Sequence, residues 1–223
     1  MKIGGLLKFS TLDYPGKLSA VIFSQGCPLR CVYCHNPDFL DFNLPGNEDF
    51  NDVLRFLESR KGLLDAVVFS GGDPLLQTDL KESMLKAKDL GFLIGIHTSG
   101  IIPDAFAKIL PIVNWVGFDI KTSFENYEKV TQIPRSGEFA KDSFNKLVKS
   151  NVNFEIRTTL DPRVISENDL YTIANILSDA KIKTWILQEC ILRNSAGDEK
   201  LSLPSEDVLA NISKYIDVQL RKQ

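Results

Sequence analysis

The stretch "SAVIFSQGCPLRCVYCHNPDF", residues 19–39, sets a short apolar run directly against a cysteine-rich loop. Residues 19–23 read as a strand buried on both faces, the kind found in parallel sheets. Gly26, Pro28 and Asn36-Pro37 then break any regular helix. The same alternation recurs downstream. Further apolar runs are "AVVFS" (66–70), "FLIGIH" (92–97), "WVGFDI" (115–120), "NFEIRTTL" (153–160) and "TWILQE" (184–189). Helical stretches follow near 48–60, 78–90, 103–110, 138–150, 166–178 and 205–220. Start signals mark several of them: Thr78-Asp79, Pro103-Asp104, Ser166 with Asp169 three residues on, and Pro204-Ser205.

Strands alternating with helices imply right-handed βαβ crossovers and a parallel sheet. Six such units fill the chain from residue 19 onward. A closed eight-stranded barrel takes about 250 residues, and this chain has 223. The expectation is therefore an open (βα)6 part of a TIM-type barrel, α/β with parallel strands, in a single domain spanning 1–223. A flat doubly wound sheet is the alternative. In either case ligands bind at the carboxyl ends of the strands. That rim would gather the cysteine loop, "GGDP" (71–74), "TSG" (98–100), "DIK" (119–121), Arg157 and Gln188.

Composition narrows the class. Hydrophobic residues make up 43% and charged residues 25%, with 26 Lys and Arg against 29 Asp and Glu. Such a balance leaves no electrostatic footprint for nucleic acid. No apolar run approaches the roughly 20 residues of a membrane span, and the glycine-broken N-terminus does not read as a signal peptide. Four cysteines, three of them clustered, do not make a secreted disulfide framework. A reducing cytoplasm is the expected compartment, where clustered thiols point to metal or catalysis.

Cys27, Cys31 and Cys34 could be a helix stripe, but the loop residues around them argue otherwise. A structural zinc site would need a fourth ligand. Cys190 could serve; His35, adjacent to Cys34, would have trouble reaching the same ion. Three thiolates also suit an iron–sulfur cube in which one iron keeps an open position.

The spacing Cys27-x3-Cys31-x2-Cys34, with Tyr33 before the last cysteine, resembles the signature of the radical S-adenosylmethionine (SAM) enzymes. The resemblance implies a [4Fe–4S] cluster whose unligated iron binds the amino and carboxylate groups of S-adenosylmethionine. Reductive cleavage of the sulfonium then releases a 5′-deoxyadenosyl radical. "FSGGDP" resembles the family's glycine-glycine-acid-proline motif beside the methionine amino group. It assigns Gly71, Gly72 and Asp73 to the cofactor, with aspartate where glutamate is commoner. "HTSG" brings in Thr98 and Ser99, although His97 stands where an aspartate that helps hold a monovalent cation is expected. "FDIK" and "EIRTTL" bring in Asp119, Lys121 and Arg157, while His35, with Asn36, belongs near the adenine and Tyr33 counts among the cofactor-binding residues. The residue chemistry agrees, since a zwitterionic sulfonium ligand needs both charge signs nearby.

Residues 12–39, "LDYPGKLSAVIFSQGCPLRCVYCHNPDF", resemble the glycyl-radical-enzyme activases. The form Asp13-Tyr14-Pro15-Gly16 is similar to the branch that serves anaerobic ribonucleotide reductase. The pyruvate formate-lyase branch usually has glycine at the position of Tyr14. The implied partner is a glycyl radical enzyme. Its loop would enter a lateral gap and meet Asp13, Pro15 and Gly16 there. The remaining cysteine, Cys190, reads as a buried structural thiol. With no cysteines for further clusters, electrons would come from a flavodoxin- or ferredoxin-type donor. Competing readings are radical chemistry on another glycyl radical enzyme or a small molecule, and a non-catalytic zinc or iron–sulfur module.

Overall fold

The computed structural model describes residues 1–194 and 197–222. Six strands lie parallel in chain order: β2 (Ser19–Ser24), β3 (Ala66–Gly71), β4 (Leu93–Thr98), β5 (Trp115–Asp119), β6 (Asn153–Leu160) and β7 (Thr184–Glu189). Each is flanked by its sequence neighbour, with none of the order reversal that marks a doubly wound sheet. Helices α1 (Phe50–Glu58), α2 (Leu80–Asp89), α3 (Pro103–Ile109), α5 (Ser136–Val148) and α6 (Glu167–Asp179) make the crossovers, with the short α4 (Tyr127–Thr131) ahead of α5. The result is the expected open α/β part-barrel.

The local start signals operate as chemistry. Ser166 and Asp169 form a reciprocal capping box at α6, and Pro103 opens α3. Asp79 makes no side-chain cap at α2, whose first residue is Leu80.

Two edge strands were not foreseen. β1 (Ile3–Ser10) pairs antiparallel with β2, Ser10 lying opposite Ser19. At the other edge, the expected helix over 205–220 is cut short. α7 covers Glu206–Ile212, and β10 (Asp217–Arg221) pairs parallel with β7. The cause is a change of period: "DVQLR" alternates polar and apolar residues, and Val218 packs on the main core. A hairpin of β8 (Ile191–Asn194) and β9 (Gly197–Lys200) lies between β7 and α7.

Strand side chains alternate between two environments. Ile94, Ile96, Val116, Phe118, Ile156 and Leu160 pack outward in the core beneath the helices. On the inner face, Val21, Ala66, Val68 and Trp115 form a second apolar group, which Tyr14 completes. Tyr14 comes from the loop after β1, and its ring lies 5.3 Å from that of Trp115. The barrel interior is thus filled with apolar groups at one end. Its other end, where the strands terminate, is left for polar side chains.

Candidate active site

A cavity of about 600 Å³ occupies the carboxyl ends of the strands. Cys27, Cys31, Cys34, Tyr33 and His35 line it, with Gly71, Gly72, Asp73, Thr98, Ser99, Asp119, Lys121 and Arg157. All of the expected metal and cofactor residues therefore reach one space. Of the three residues expected to meet a partner, only Asp13 lines it. Pro15 and Gly16 form an exposed turn closed by the Lys17 N–H to the Tyr14 carbonyl, with Gly16 at φ +68°. This turn leads into the start of β2, at the opposite end of the strands. Burial of Tyr14 against Trp115 draws the segment under the barrel and carries Pro15-Gly16 away from the rim.

The cysteine loop is shaped by backbone contacts on two sides. Gly26 N–H donates to the Phe39 carbonyl (2.8 Å) and Cys27 N–H to that of Leu40 (3.3 Å). From the other side, Asp73 N–H donates to the Gly26 carbonyl (3.0 Å). This close approach needs the two glycines. Gly71 has φ +107°, and a Cβ on Gly72 would stand 2.1 Å from the Gly26 carbonyl oxygen.

Asp73 is 2% exposed, and its carboxylate already accepts bonds from several protein donors. They are Ser99 Oγ (2.6 Å), Thr98 Oγ1 (3.0 Å), Leu75 N–H (3.1 Å) and Ser99 N–H (3.3 Å). Burial raises its pKa, and these donors pull the other way. Asp73 therefore ties the end of β3 to the end of β4. The sequence placed it correctly at the rim but could not show where its lone pairs are engaged.

Asp119 and Arg157 sit directly across from each other on β5 and β6. Arg157 Nε donates to Asp119 Oδ1 (2.9 Å), and Lys121 Nζ to Oδ2 (3.0 Å). Burial works to raise the Asp119 pKa, but the charges of Arg157 and Lys121 outweigh it and hold the carboxyl well below its usual range. Lys121 stays charged because Asp119 overcomes the effect of burial. One carboxylate between two cations leaves the group a net positive charge, suited to a ligand carboxylate or hydroxyls.

His97 also lines the cavity. Its Nε2 lies 2.9 Å from the Asp13 carbonyl, which can only accept, so Nε2 carries the proton. Burial, and after it Arg157, push its pKa down to about 3, and the ring is neutral. It fastens the loop after β1 to β4.

Sequence reasoning missed two contributors, Arg221 and Lys222, which enter from the end of β10. The period-two pattern of "DVQLR" was the available signal. Cys190 is fully buried beside Tyr33 and Val130, and it does not line the cavity.

Comparison with known proteins agrees with this geometry. The family model of the radical SAM superfamily matches residues 21–171. A Methanocaldococcus jannaschii protein provisionally named as a glycyl-radical enzyme activating enzyme is 34% identical over 96% of this chain and 93% of its own length. The pyruvate formate-lyase-activating enzyme of Clostridium pasteurianum is 32% identical over 81% of this chain and 77% of its own. Among solved structures, Streptococcus suis SuiB bound to S-adenosylmethionine shares the fold with a TM-score of 0.65 at 15% identity. That match covers 91% of this chain, which spans about half (49%) of SuiB. Escherichia coli QueE matches with a TM-score of 0.56 at 16% identity, over 99% of this chain and 93% of its own.

The chain belongs to the radical SAM superfamily and, within it, to the glycyl-radical-enzyme activating group. It is an enzyme whose cofactors are a [4Fe–4S] cluster and S-adenosylmethionine. The cavity fits both. Among the described residues no three His, Cys, Asp or Glu converge as ligands of a single metal ion. A cluster makes no such demand, because each thiolate takes a different iron. Burial pushes the Cys27 thiol up to about 12 and also raises Cys31, so binding iron would displace protons from both. Tyr33 is 5% exposed, and among the described residues its hydroxyl has no hydrogen-bond partner. A buried polar atom on a cavity wall is a place for a ligand to bond.

Proposed function

We propose that this enzyme generates a glycyl radical on an anaerobic ribonucleotide reductase, drawing electrons from a flavodoxin or ferredoxin in a reducing cytoplasm. One observation carries this reading: the cysteine loop and the Asp119–Lys121–Arg157 group share a single cavity of about 600 Å³. Cys27, Cys31 and Cys34 would hold the cluster, leaving one iron free for the methionine end of S-adenosylmethionine. Once bound, the two cofactors would supply the one-electron reductive cleavage of the sulfonium and the abstraction of a hydrogen atom from the partner's glycine.

The chain's own residues position and shield. The backbone at Gly71 and Gly72 would border the amino group, while Lys121 and Arg157 would hold the carboxylate or ribose hydroxyls. Tyr33 and His35 would flank the adenine. Thr98 and Ser99 serve through Asp73, which they fix. Asp13, whose carbonyl is held by His97, would meet the partner. Among the described residues no helix is long and apolar enough to cross a membrane.

The Asp13-Tyr14-Pro15-Gly16 form favours the reductase as partner. The Clostridium pasteurianum relative supports a second reading, in which the partner is a pyruvate formate-lyase. Anaerobically reconstituted enzyme, reductant and S-adenosylmethionine are to be mixed with each candidate in turn. Electron paramagnetic resonance should show a glycyl radical on the reductase. A radical formed only on the lyase would move the assignment there, and none on either would refute both.

A further inference from the structure

The short helix α4 touches both halves of the candidate site. At its C-terminal end, the Thr131 and Val130 carbonyls accept bonds from Arg30 N–H (2.9 Å) and Val32 N–H (3.3 Å), the residues that flank Cys31. Helix-terminal carbonyls lack partners within their own helix, and here the cysteine loop supplies the donors. At its N-terminal end, Tyr127 is 1% exposed and points its hydroxyl at the end of β5. That oxygen accepts from Lys121 N–H (3.0 Å) and donates to the Asp119 carbonyl (3.2 Å). Thr131 Oγ1 bonds back to the Tyr127 carbonyl (2.9 Å), bracing one end of the helix against the other.

We infer that α4 is a bracket fixing the distance between the cysteine loop and the Asp119–Lys121 strand end, with Tyr127 as its positioning residue. The inference rests on the proposed use of that strand end to bind S-adenosylmethionine. Tyr127 does not line the cavity; it acts through the backbone that presents Asp119 and Lys121. A buried N–H and carbonyl that lose their shared partner would shift, and the two charged side chains would shift with them.

The test uses the reconstituted full chain. Tyr127→Phe keeps the ring and removes the two bonds. Its iron and sulfide content, and the resonance spectrum of the reduced cluster without S-adenosylmethionine, should match the wild type. Titration with S-adenosylmethionine should shift that spectrum only at roughly tenfold higher concentration, as expected for about one lost buried hydrogen bond. Asn126→Ala is the control. Asn126 bonds Asp169 from the same loop (2.7 Å) without reaching β5, so its loss loosens the loop but should leave the affinity unchanged. Unaltered affinity in Tyr127→Phe, or an equal loss in Asn126→Ala, would overturn the inference. Failure of the wild type to bind S-adenosylmethionine at all would instead refute the functional reading.

Amide hydrogen exchange gives a readout that does not depend on the loaded enzyme. In the metal-free wild type, the Arg30, Val32 and Lys121 amides should exchange as one cooperative group, because all three donate to α4. Independent exchange of Lys121 would break the bracket even if the variant cannot be prepared.

Discussion

Replacing His97 with glutamine should make the metal-free protein less sensitive to acid. The imidazole is enclosed at the cavity wall, and burial, with Arg157 second, brings its pKa down to about 3. A histidine in the unfolded chain titrates near 6.5. Between those values the unfolded chain binds a proton that the folded protein refuses. Stability through this residue is therefore complete above about pH 6.5 and declines as the pH falls toward 3. Each pH unit in that window costs about 1.4 kcal/mol, so going from pH 8 to pH 5 removes about 2 kcal/mol. Glutamine carries no titrating proton, and its amide can still donate toward the Asp13 carbonyl. Urea denaturation of wild type and His97→Gln at both pH values gives the comparison. Groups remote from His97 contribute equally to both proteins and cancel in the difference, leaving the wild type with about 2 kcal/mol more acid loss. Equal losses would mean that the folded-state ring titrates like a free imidazole, and the account of a buried neutral His97 would fail.

Four more outcomes are expected. Cys27→Ala, Cys31→Ala and Cys34→Ala should each lose iron and sulfide after anaerobic reconstitution, whereas Cys190→Ala, outside the cavity, should keep both; loss in Cys190→Ala would point to a four-cysteine site. Asp73→Asn should lower fold stability by about 1.5–3 kcal/mol by disturbing a buried carboxylate with several donors, and weaken S-adenosylmethionine binding as a consequence; weaker binding at full stability would mean that the carboxylate faces the ligand. Gly72→Ala should impair cluster loading, because its Cβ would meet the Gly26 carbonyl at 2.1 Å. Gly16→Ala, at φ +68° with nothing near its Cβ, should cost about 1 kcal/mol of stability and leave loading intact; parallel loss in both would separate the effect from contact with the cysteine loop.

The elements legible in the sequence are those written in local pattern. The run Ser19–Phe23, the breakers Gly26 and Pro28 and the spacing of Cys27, Cys31 and Cys34 all lie within one short segment. Its strand-then-loop character follows from propensity and backbone sterics alone. Alternation of buried runs with capped helices likewise predicted six parallel strands, since each βα unit is a local folding decision. The rim residues followed, because ligand sites collect where such strands end.

What only the tertiary structure decided depends on partners distant in the chain. β1 exists because β2 lies beside it, and β10 because β7 offers an open edge to "DVQLR". Pro15-Gly16 reads as a turn from its residues, but burial of Tyr14 on Trp115 decides at which end of the barrel that turn sits. Asp73 reads as a rim carboxylate, and Thr98 and Ser99, more than twenty residues away, determine where its lone pairs go. Tyr127 carries no motif, and its hydroxyl acquires a role only when α4 packs between the cysteine loop and β5. Local sequence specifies dihedral preference and which face is apolar. A hydrogen bond or charge pair closing over a long loop depends on where the whole chain brings its two ends.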